Sequence, residues 1–272
     1  MNYLVIKCGG SVFEALPQSF YADIVNLFNT KEWIPVVVHG GGPLINSLLG
    51  KLGIETHFVN GLRVTTNELL DVVEMVLSGS VNKKVVRHLT EVGGKAFGIS
   101  GVDGHLLSAQ MIEPELGFVG EVVKVNHGLI SQIALQGYIP VISPIGIDEN
   151  GQRYNINGDI AASAIAKALS AKLCLVSDIP GILIEECGEK KVLERASKKE
   201  VEQLIENGTI TGGMIPKVKA AIDGLEHAVP EVVILNGMEK HSLLDFSLGK
   251  KIGTKLVLHE HEQEIKGELS NV

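Results

Sequence analysis

The opening stretch constrains this chain more than any other. Tyr3-Leu4-Val5-Ile6 runs without a polar break into Lys7-Cys8-Gly9-Gly10-Ser11. The apolar run is short, partly β-branched and bounded by glycine, the pattern of a strand covered on both faces. A lysine at the end of such a strand is costly unless its ammonium meets an anion or reaches water. Gly9 and Gly10 leave backbone N–H groups open to whatever approaches. Two readings fit: a phosphate-binding turn with Lys7 at its rim, or a plain strand end from which Lys7 extends to solvent.

The same plan recurs downstream. Phe20, Ile24, Leu27 and Phe28 fall at helical spacing, and Ile34 to Val38 is a second buried strand running into His39-Gly40-Gly41-Gly42-Pro43. Pro43 suits a first helical turn, with Ile45, Leu48, Leu49 and Leu52 as the buried stripe. Thr65 with Glu68 reads as a capping box opening a long helix over 66–91 that Ser78-Gly79-Ser80 interrupts. Strands at 96–100 and 138–143 follow, with 105–125 as an antiparallel hairpin that covers the core. The second half brings a helix over 160–170, a strand at 172–177 and a second capping box, Ser197 with Glu200. Gly208 ends that helix, Thr211 to Lys217 opens the next, and 232–235 and 256–258 close the sheet. Strands followed by helices predict an α/β, three-layer αβα sandwich around a mainly parallel open sheet. A lobe boundary is expected near residue 180 within that sheet, giving lobes of 1–180 and 181–272, and the last ten residues are expected to fray.

Composition narrows the functions. With 272 residues, 45% of them hydrophobic, one large domain or two lobes are possible. A net charge of −8 argues against nucleic acid or an anionic membrane as a general partner. No apolar run approaches the roughly 18 residues of a membrane span, and the start lacks the layout of a signal peptide. Cys8, Cys174 and Cys187 share no CxxC spacing, which points to a reducing, cytoplasmic setting. Cys8 reads as a small core residue, and His259-Glu260-His261-Glu262 as a solvated tail rather than a metal site.

Glycine turns lie at the carboxyl ends of several predicted strands: 9–10, 40–42, 98–104 and 178–181. In an open parallel sheet that edge is where ligands bind, because loops and helix N-termini converge there. Lysines among those turns favour a phosphorylated ligand. There is no Walker-type P-loop, and the 98–104 glycines are spaced G-x-x-G-x-x-G, unlike a dinucleotide fingerprint. His39-Gly40-Gly41-Gly42 lacks the G-x-S-x-G elbow that an esterase would need.

Five segments taken together, Lys7-Cys8-Gly9-Gly10-Ser11, His39 to Gly42, Asn60 to Thr65, Asn155 to Asp159 and Gly212 to Lys217, resemble the acetylglutamate kinase branch of the amino acid kinase family in order and spacing. The resemblance spans residues 3–258. It implies the amino acid kinase fold and ATP-dependent phosphorylation of the γ-carboxylate of N-acetyl-L-glutamate, the second step of arginine biosynthesis. It also implies that Lys7 and Lys217 flank the migrating phosphoryl group and that Asp159 orients both. Gly9, Gly10 and Gly40 would meet phosphate oxygens, while Gly41, Gly42, Arg63 and Asn155 would hold the amino acid substrate. Ser177, Asp178, Gly181, Ile182 and Leu183, with Thr209, Ile210 and Thr211, match the nucleotide segments. Asn157 would cap the helix that carries Asp159. Mg²⁺ would arrive on the ATP phosphates, with no dedicated metal cage. A kinase for a homologue such as N-acetyl-aminoadipate, or a non-catalytic sensor of the same fold, are the alternatives; one methylene is worth only ~1–3 kcal/mol of discrimination. The first strand opens by residue 3, with no helix ahead of it, and Gly249-Lys250-Lys251-Ile252-Gly253-Thr254 carries lysines where arginine-sensitive relatives tend to be acidic. Both features predict a homodimer, insensitive to arginine, that pairs through the 66–91 helix.

Overall fold

The computed structural model describes residues 2–186 and 188–259. Strand β1 (Asn2–Cys8) leads through α1 (Gly10–Phe13) and α2 (Gln18–Asn29) to β2 (Trp33–His39) and α3 (Gly42–Leu52). A short hairpin, β3 (Phe58–Val59) and β4 (Leu62–Arg63), precedes α4 (Asn67–Glu74), a π-helical stretch (Met75–Val81) and α5 (Asn82–Glu91). Then come β5 (Ala96–Ser100), β6 (Leu107–Met111), β7 (Val119–Val125), α6 (His127–Leu135), β8 (Ile139–Ser143), β9 (Ile145–Ile147), β10 (Arg153–Ile156) and α7 (Gly158–Leu169). The chain continues through β11 (Lys172–Ser177), a hairpin of β12 (Leu183–Glu186) and β13 (Glu189–Val192), β14 (Arg195–Ser197) and α8 (Lys198–Glu206). It closes with α9 (Met214–Glu226), β15 (Val232–Asn236), α10 (Ser242–Ser247) and β16 (Thr254–Val257).

Eight strands form one sheet in the order β14-β16-β15-β11-β1-β2-β8-β5. Every neighbouring pair is parallel except β15 with β16. β1 is interior, and its period-2 alternation serves two cores. Leu4, Ile6 and Cys8 pack with α2, α3, α4, α5 and α10, whereas Val5 packs with α6, α7, α8 and α9. That is the expected three-layer sandwich. Burial pushes the Cys8 thiol up to about 12, as befits a core residue rather than a nucleophile. No helix among the described residues is long and apolar enough to cross a membrane.

The structure departs from the sequence reading in three places. Residues 105–125 do form an antiparallel pair, β6 with β7, but β9 and β10 join it to close a small four-stranded barrel. The 66–91 helix is not broken at Ser78-Gly79-Ser80; it widens into the π-helical stretch and continues. Its cap is Thr66, whose hydroxyl accepts from the Leu69 N–H at 3.3 Å, rather than Thr65. Thr65 is occupied elsewhere, because its backbone pairs with the strand entry around Leu116 to Phe118. The second capping box, Ser197 with Glu200, is present in both directions, and Gly208 takes φ +78° just past α8. The fraying expected of the last ten residues, and Cys187, lie outside the described residues.

Two glycines probe the packing with opposite signs. A Cβ on Gly120 in β7 would stand 2.6 Å from the Tyr154 Cβ, an atom fixed to the barrel wall. Gly50 lies inside α3 with nothing near its missing Cβ. Gly120→Ala is expected to destabilise by about 1–3 kcal/mol. Gly50→Ala is expected to stabilise by about 0.5–1 kcal/mol. Urea unfolding midpoints for the two variants check both signs.

Candidate active site

Strand parity decides where the charged residues meet. Lys7 shares the Val5 face of β1 and therefore points toward α7. There its Nζ lies 2.8 Å from Oδ1 of Asp159, with both side chains largely buried. Asp159 is the second residue of α7, and Asn157 caps that helix by accepting from the N–H groups of Asp159 (2.8 Å) and Ile160 (3.3 Å). The positive end of the α7 dipole favours a carboxylate there. Burial disfavours the charged form of Asp159, but Lys7 and Lys217 outweigh it and hold the carboxyl below its ordinary value.

Lys217 reaches the same place from far along the chain. It sits in the first turns of α9, buried, and its Nζ donates to the Val176 carbonyl at 3.2 Å, at the carboxyl end of β11. Burial pushes this ammonium down and Lys7 pushes the same way, while Asp159 and Asp178 pull it back. Two cations thus gather with the Asp159 and Asp178 carboxylates at the carboxyl edge of the sheet.

A cavity of about 210 Å³ opens beside the pair, lined by Lys7, Gly10, Gly40, Gly41, Gly42, Arg63, Asn155 and Asp159 among others. Its floor is backbone. A Cβ on Gly10 would lie 2.7 Å and 2.8 Å from the amide nitrogens of Gly42 and Gly41, so only glycine lets the two turns close on each other. Arg63, at the end of β4, is buried: Nη2 donates to Asn46 Oδ1 at 2.6 Å and the guanidinium stacks 4.6 Å from the Phe58 ring. Its Nη1 is buried without a partner, a donor left for a ligand's carboxylate. Asn155 Nδ2 donates to Thr65 Oγ1 at 3.1 Å, and that hydroxyl donates to the Arg63 carbonyl at 2.8 Å. Thr65, displaced from its expected cap, thereby ties the two substrate candidates together.

A second cleft, of about 380 Å³, gathers Gly181, Ile182, Leu183, Thr209, Ile210 and Thr211. Met214 and Lys190, which the sequence reading did not single out, line it too. Gly181 is required by a close approach: its Cβ would meet Thr254 Oγ1 at 2.5 Å, while that hydroxyl accepts from the Ile182 N–H at 2.8 Å. α9 starts at this cleft, where Met214 borders it, and carries Lys217 one turn later. Four candidates stand apart from either lining, Lys217 among them. Gly9 caps α1 just behind Lys7, Ser177 is buried at the end of β11, and Asp178 lies beside it toward Lys217. Asn46 and Phe58 escaped the sequence reading because neither lies in a distinctive motif and the β3–β4 hairpin carries no alternation long enough to detect. Among the described residues no group of three or more His, Cys, Asp or Glu side chains could hold a metal ion, and His259 is exposed while Glu260 to Glu262 lie outside them.

Comparisons with known proteins identify the family. The amino acid kinase family profile matches residues 2–236. The acetylglutamate kinase of Oceanobacillus iheyensis is 48% identical over 97% of this chain and 99% of its own length. That of Geobacillus kaustophilus is 51% identical over 86% of this chain and 90% of its own. Among solved structures, a Streptococcus mutans protein superposes with a TM-score of 0.82 at 29% identity, covering 94% of this chain and 99% of that one. The carbamate kinase of Giardia, 16% identical with a TM-score of 0.65 over 95% of this chain and 99% of its own, shares the fold. The chain therefore belongs to the amino acid kinase family, alongside its acetylglutamate kinases.

Proposed function

We propose that this chain transfers the γ-phosphoryl group of ATP to the γ-carboxylate of N-acetyl-L-glutamate, giving ADP and the acyl phosphate, the second step of arginine biosynthesis. The observation that carries the reading is the buried Lys7–Asp159 pair in the lining of the cavity, with the Lys217 ammonium acting on the same carboxylate from α9, three residues after Met214 of the cleft. The curated relatives bear the corresponding name at about half identity over nearly the whole chain.

The chemistry explains the residues. Transfer brings two anions together, so the protein must neutralise charge and hold the reactants in line. Arg63, through its unpartnered Nη1, takes the substrate's α-carboxylate, and Asn155 holds the neighbouring polar groups. The amides of Gly41 and Gly42 receive the acceptor end, and those of Gly9, Gly10 and Gly40 the phosphate side. A carboxylate oxygen then forms a bond to the γ-phosphorus as the bond to the β-phosphate oxygen breaks. Lys7 and Lys217 offset the charge on the oxygens of the moving group. Asp159, ionised throughout the working range because the lysines hold its pKa low, keeps Lys7 aimed. Ile182, Ile210 and Met214 give the nucleotide's base an apolar wall, with Gly181, Leu183, Thr209 and Thr211 beside it; Ser177 and Asp178, outside that lining, serve the nucleotide from the end of β11. Mg²⁺, held by the ATP phosphates, supplies further charge neutralisation when bound.

Residues 1–180 serve in this reading as the substrate and dimerisation lobe, and 181–272 as the nucleotide lobe. Met75, apolar and 58% exposed on the π-helical stretch, supports pairing of two copies through that helix. Lys250 and Lys251 line a cavity of about 450 Å³ with Lys172, Arg195 and Lys255, and its two carboxylates, Glu194 and Glu231, are already paired with lysines, which disfavours a guanidinium ligand. The two free buried thiols, Cys8 and Cys174, suit a cytoplasmic enzyme.

Three outcomes follow. Lys217→Ala should lower kcat by ~10²-fold or more with KM values little changed, since it acts on the transition state; ADP release at saturating substrates measures this. Arg63→Ala should raise the KM for N-acetylglutamate by about tenfold or more and leave that for ATP near its starting value. Millimolar L-arginine should leave the rate unchanged on a particle that mass photometry weighs as two chains; inhibition or a hexamer would remove the regulatory reading alone.

A further inference from the structure

His39 and Asn82 lie behind the triple-glycine turn and are not used by the mechanism above. Both are fully buried. By strand parity His39 shares the Val37 face of β2, on the side away from Lys7 and Asp159, where α5 begins with Asn82. The imidazole Nδ1 lies 3.1 Å from the Gly40 carbonyl oxygen, and Nε2 lies 3.2 Å from Asn82 Nδ2. A carbonyl oxygen can only accept and an amide nitrogen can only donate, so both contacts hold together in one form, the neutral ring with its hydrogen on Nδ1. The Asn82 amide is fixed by the same reasoning. Its Nδ2 faces the carbonyls of Val141 (2.9 Å) and Ile99 (3.4 Å), and its Oδ1 accepts from Lys83 Nζ at 3.0 Å. Lys83 is the charged group that faces the pair. Burial and Lys83 push the imidazole down to about 4 against the opposing Gly40 contact, so the ring stays neutral above that value.

The Gly40–Gly41 peptide is planar and trans, so its carbonyl and its N–H point in opposite directions. Fixing the Gly40 oxygen from behind fixes where the Gly41 N–H points in front, on the side where the Gly10 turn and the cavity lie. The back of Gly41 is closed by the π-helical stretch: a Cβ there would meet Leu77 Cδ2 at 2.7 Å and Val81 Cγ2 at 3.2 Å. We propose that His39 and Asn82 are positioning residues for the phosphoryl transfer: Asn82 locks the imidazole as its Nδ1–H tautomer, and the locked ring, through the Gly40 carbonyl, aims the Gly41 and Gly42 amides at the acceptor. This rests on the kinase reading given above.

The test separates the two. His39→Leu removes the donor to Gly40, and kcat should fall about tenfold or more with both KM values within about threefold, short of the ~10²–10³ for losing an oxyanion donor outright. His39→Asn places an amide donor near the Nδ1 position and should recover most of kcat. Wild-type protein that releases no ADP with ATP and N-acetylglutamate would sink the kinase reading. An active wild type with unchanged His39→Leu turnover, or with His39→Asn no better than His39→Leu, would sink the positioning role. If His39→Leu does not fold, ¹⁵N-imidazole NMR of the wild type decides. A resonance that His39→Asn deletes should report Nδ1–H and stay constant from about pH 5.5 to 8.5; an Nε2–H ring, or one that titrates in that window, overturns the proposal.

Discussion

The ion pair between Lys7 and Asp159 joins the end of the central strand to the start of the helix packed on it, and the rest of the site is arranged around that junction. Burying such a pair is expensive, and its Coulombic attraction does not by itself make the fold more stable. The surroundings reduce the cost. Asn157 satisfies the first N–H groups of α7, and the helix end favours the carboxylate. Lys217 joins the group with Asp178 nearby, so each ammonium has a carboxylate acting on it. In the function proposed above, a phosphate group would meet both ammonium groups in this partly dry setting.

The second organising feature is that backbone, not side chain, forms the floor of the cavity. The turns after β1 and β2 lie against each other so closely that a methyl group on Gly10 could not fit. Amide hydrogens in such turns keep their direction without losing rotamer entropy when a ligand binds, which is the property that charge stabilisation during transfer requires. The side chains that tune the floor come from behind it, from β2 and from the π-helical widening whose Leu77 and Val81 press on Gly41. A widened turn within a long helix commonly marks such a site.

Much of this was legible residue by residue. The unbroken apolar run before Lys7, the glycine turns at the ends of the strands and the Ser197–Glu200 box each express a local rule, and the structure shows them where the sequence puts them. Thr65 shows why local rules stop short. It satisfies the spacing of a capping box with Glu68, yet its backbone pairs with the segment around Gly117, so Thr66 caps the helix and Thr65 supports Arg63 and Asn155 instead. The barrel was hidden because β9 and β10 are too short to show alternation, and its closure depends on the pairing of β10 with β7 and of β9 with β6, segments distant in sequence.

The sequence by itself determined the layers, the edge on which ligands collect and the chemical types available there, because hydrophobic period and glycine placement act over a few residues. Only the tertiary structure decided which cation meets which carboxylate. Lys7 and Lys217 stand at opposite ends of the chain and converge because β1 and β11 are neighbours in the sheet and α7 and α9 pack on the same face. It also decided that Arg63 keeps a buried donor free and that Asn82 faces His39. Those facts depend on strand order and side-chain direction across the whole sheet, and no window of sequence contains them.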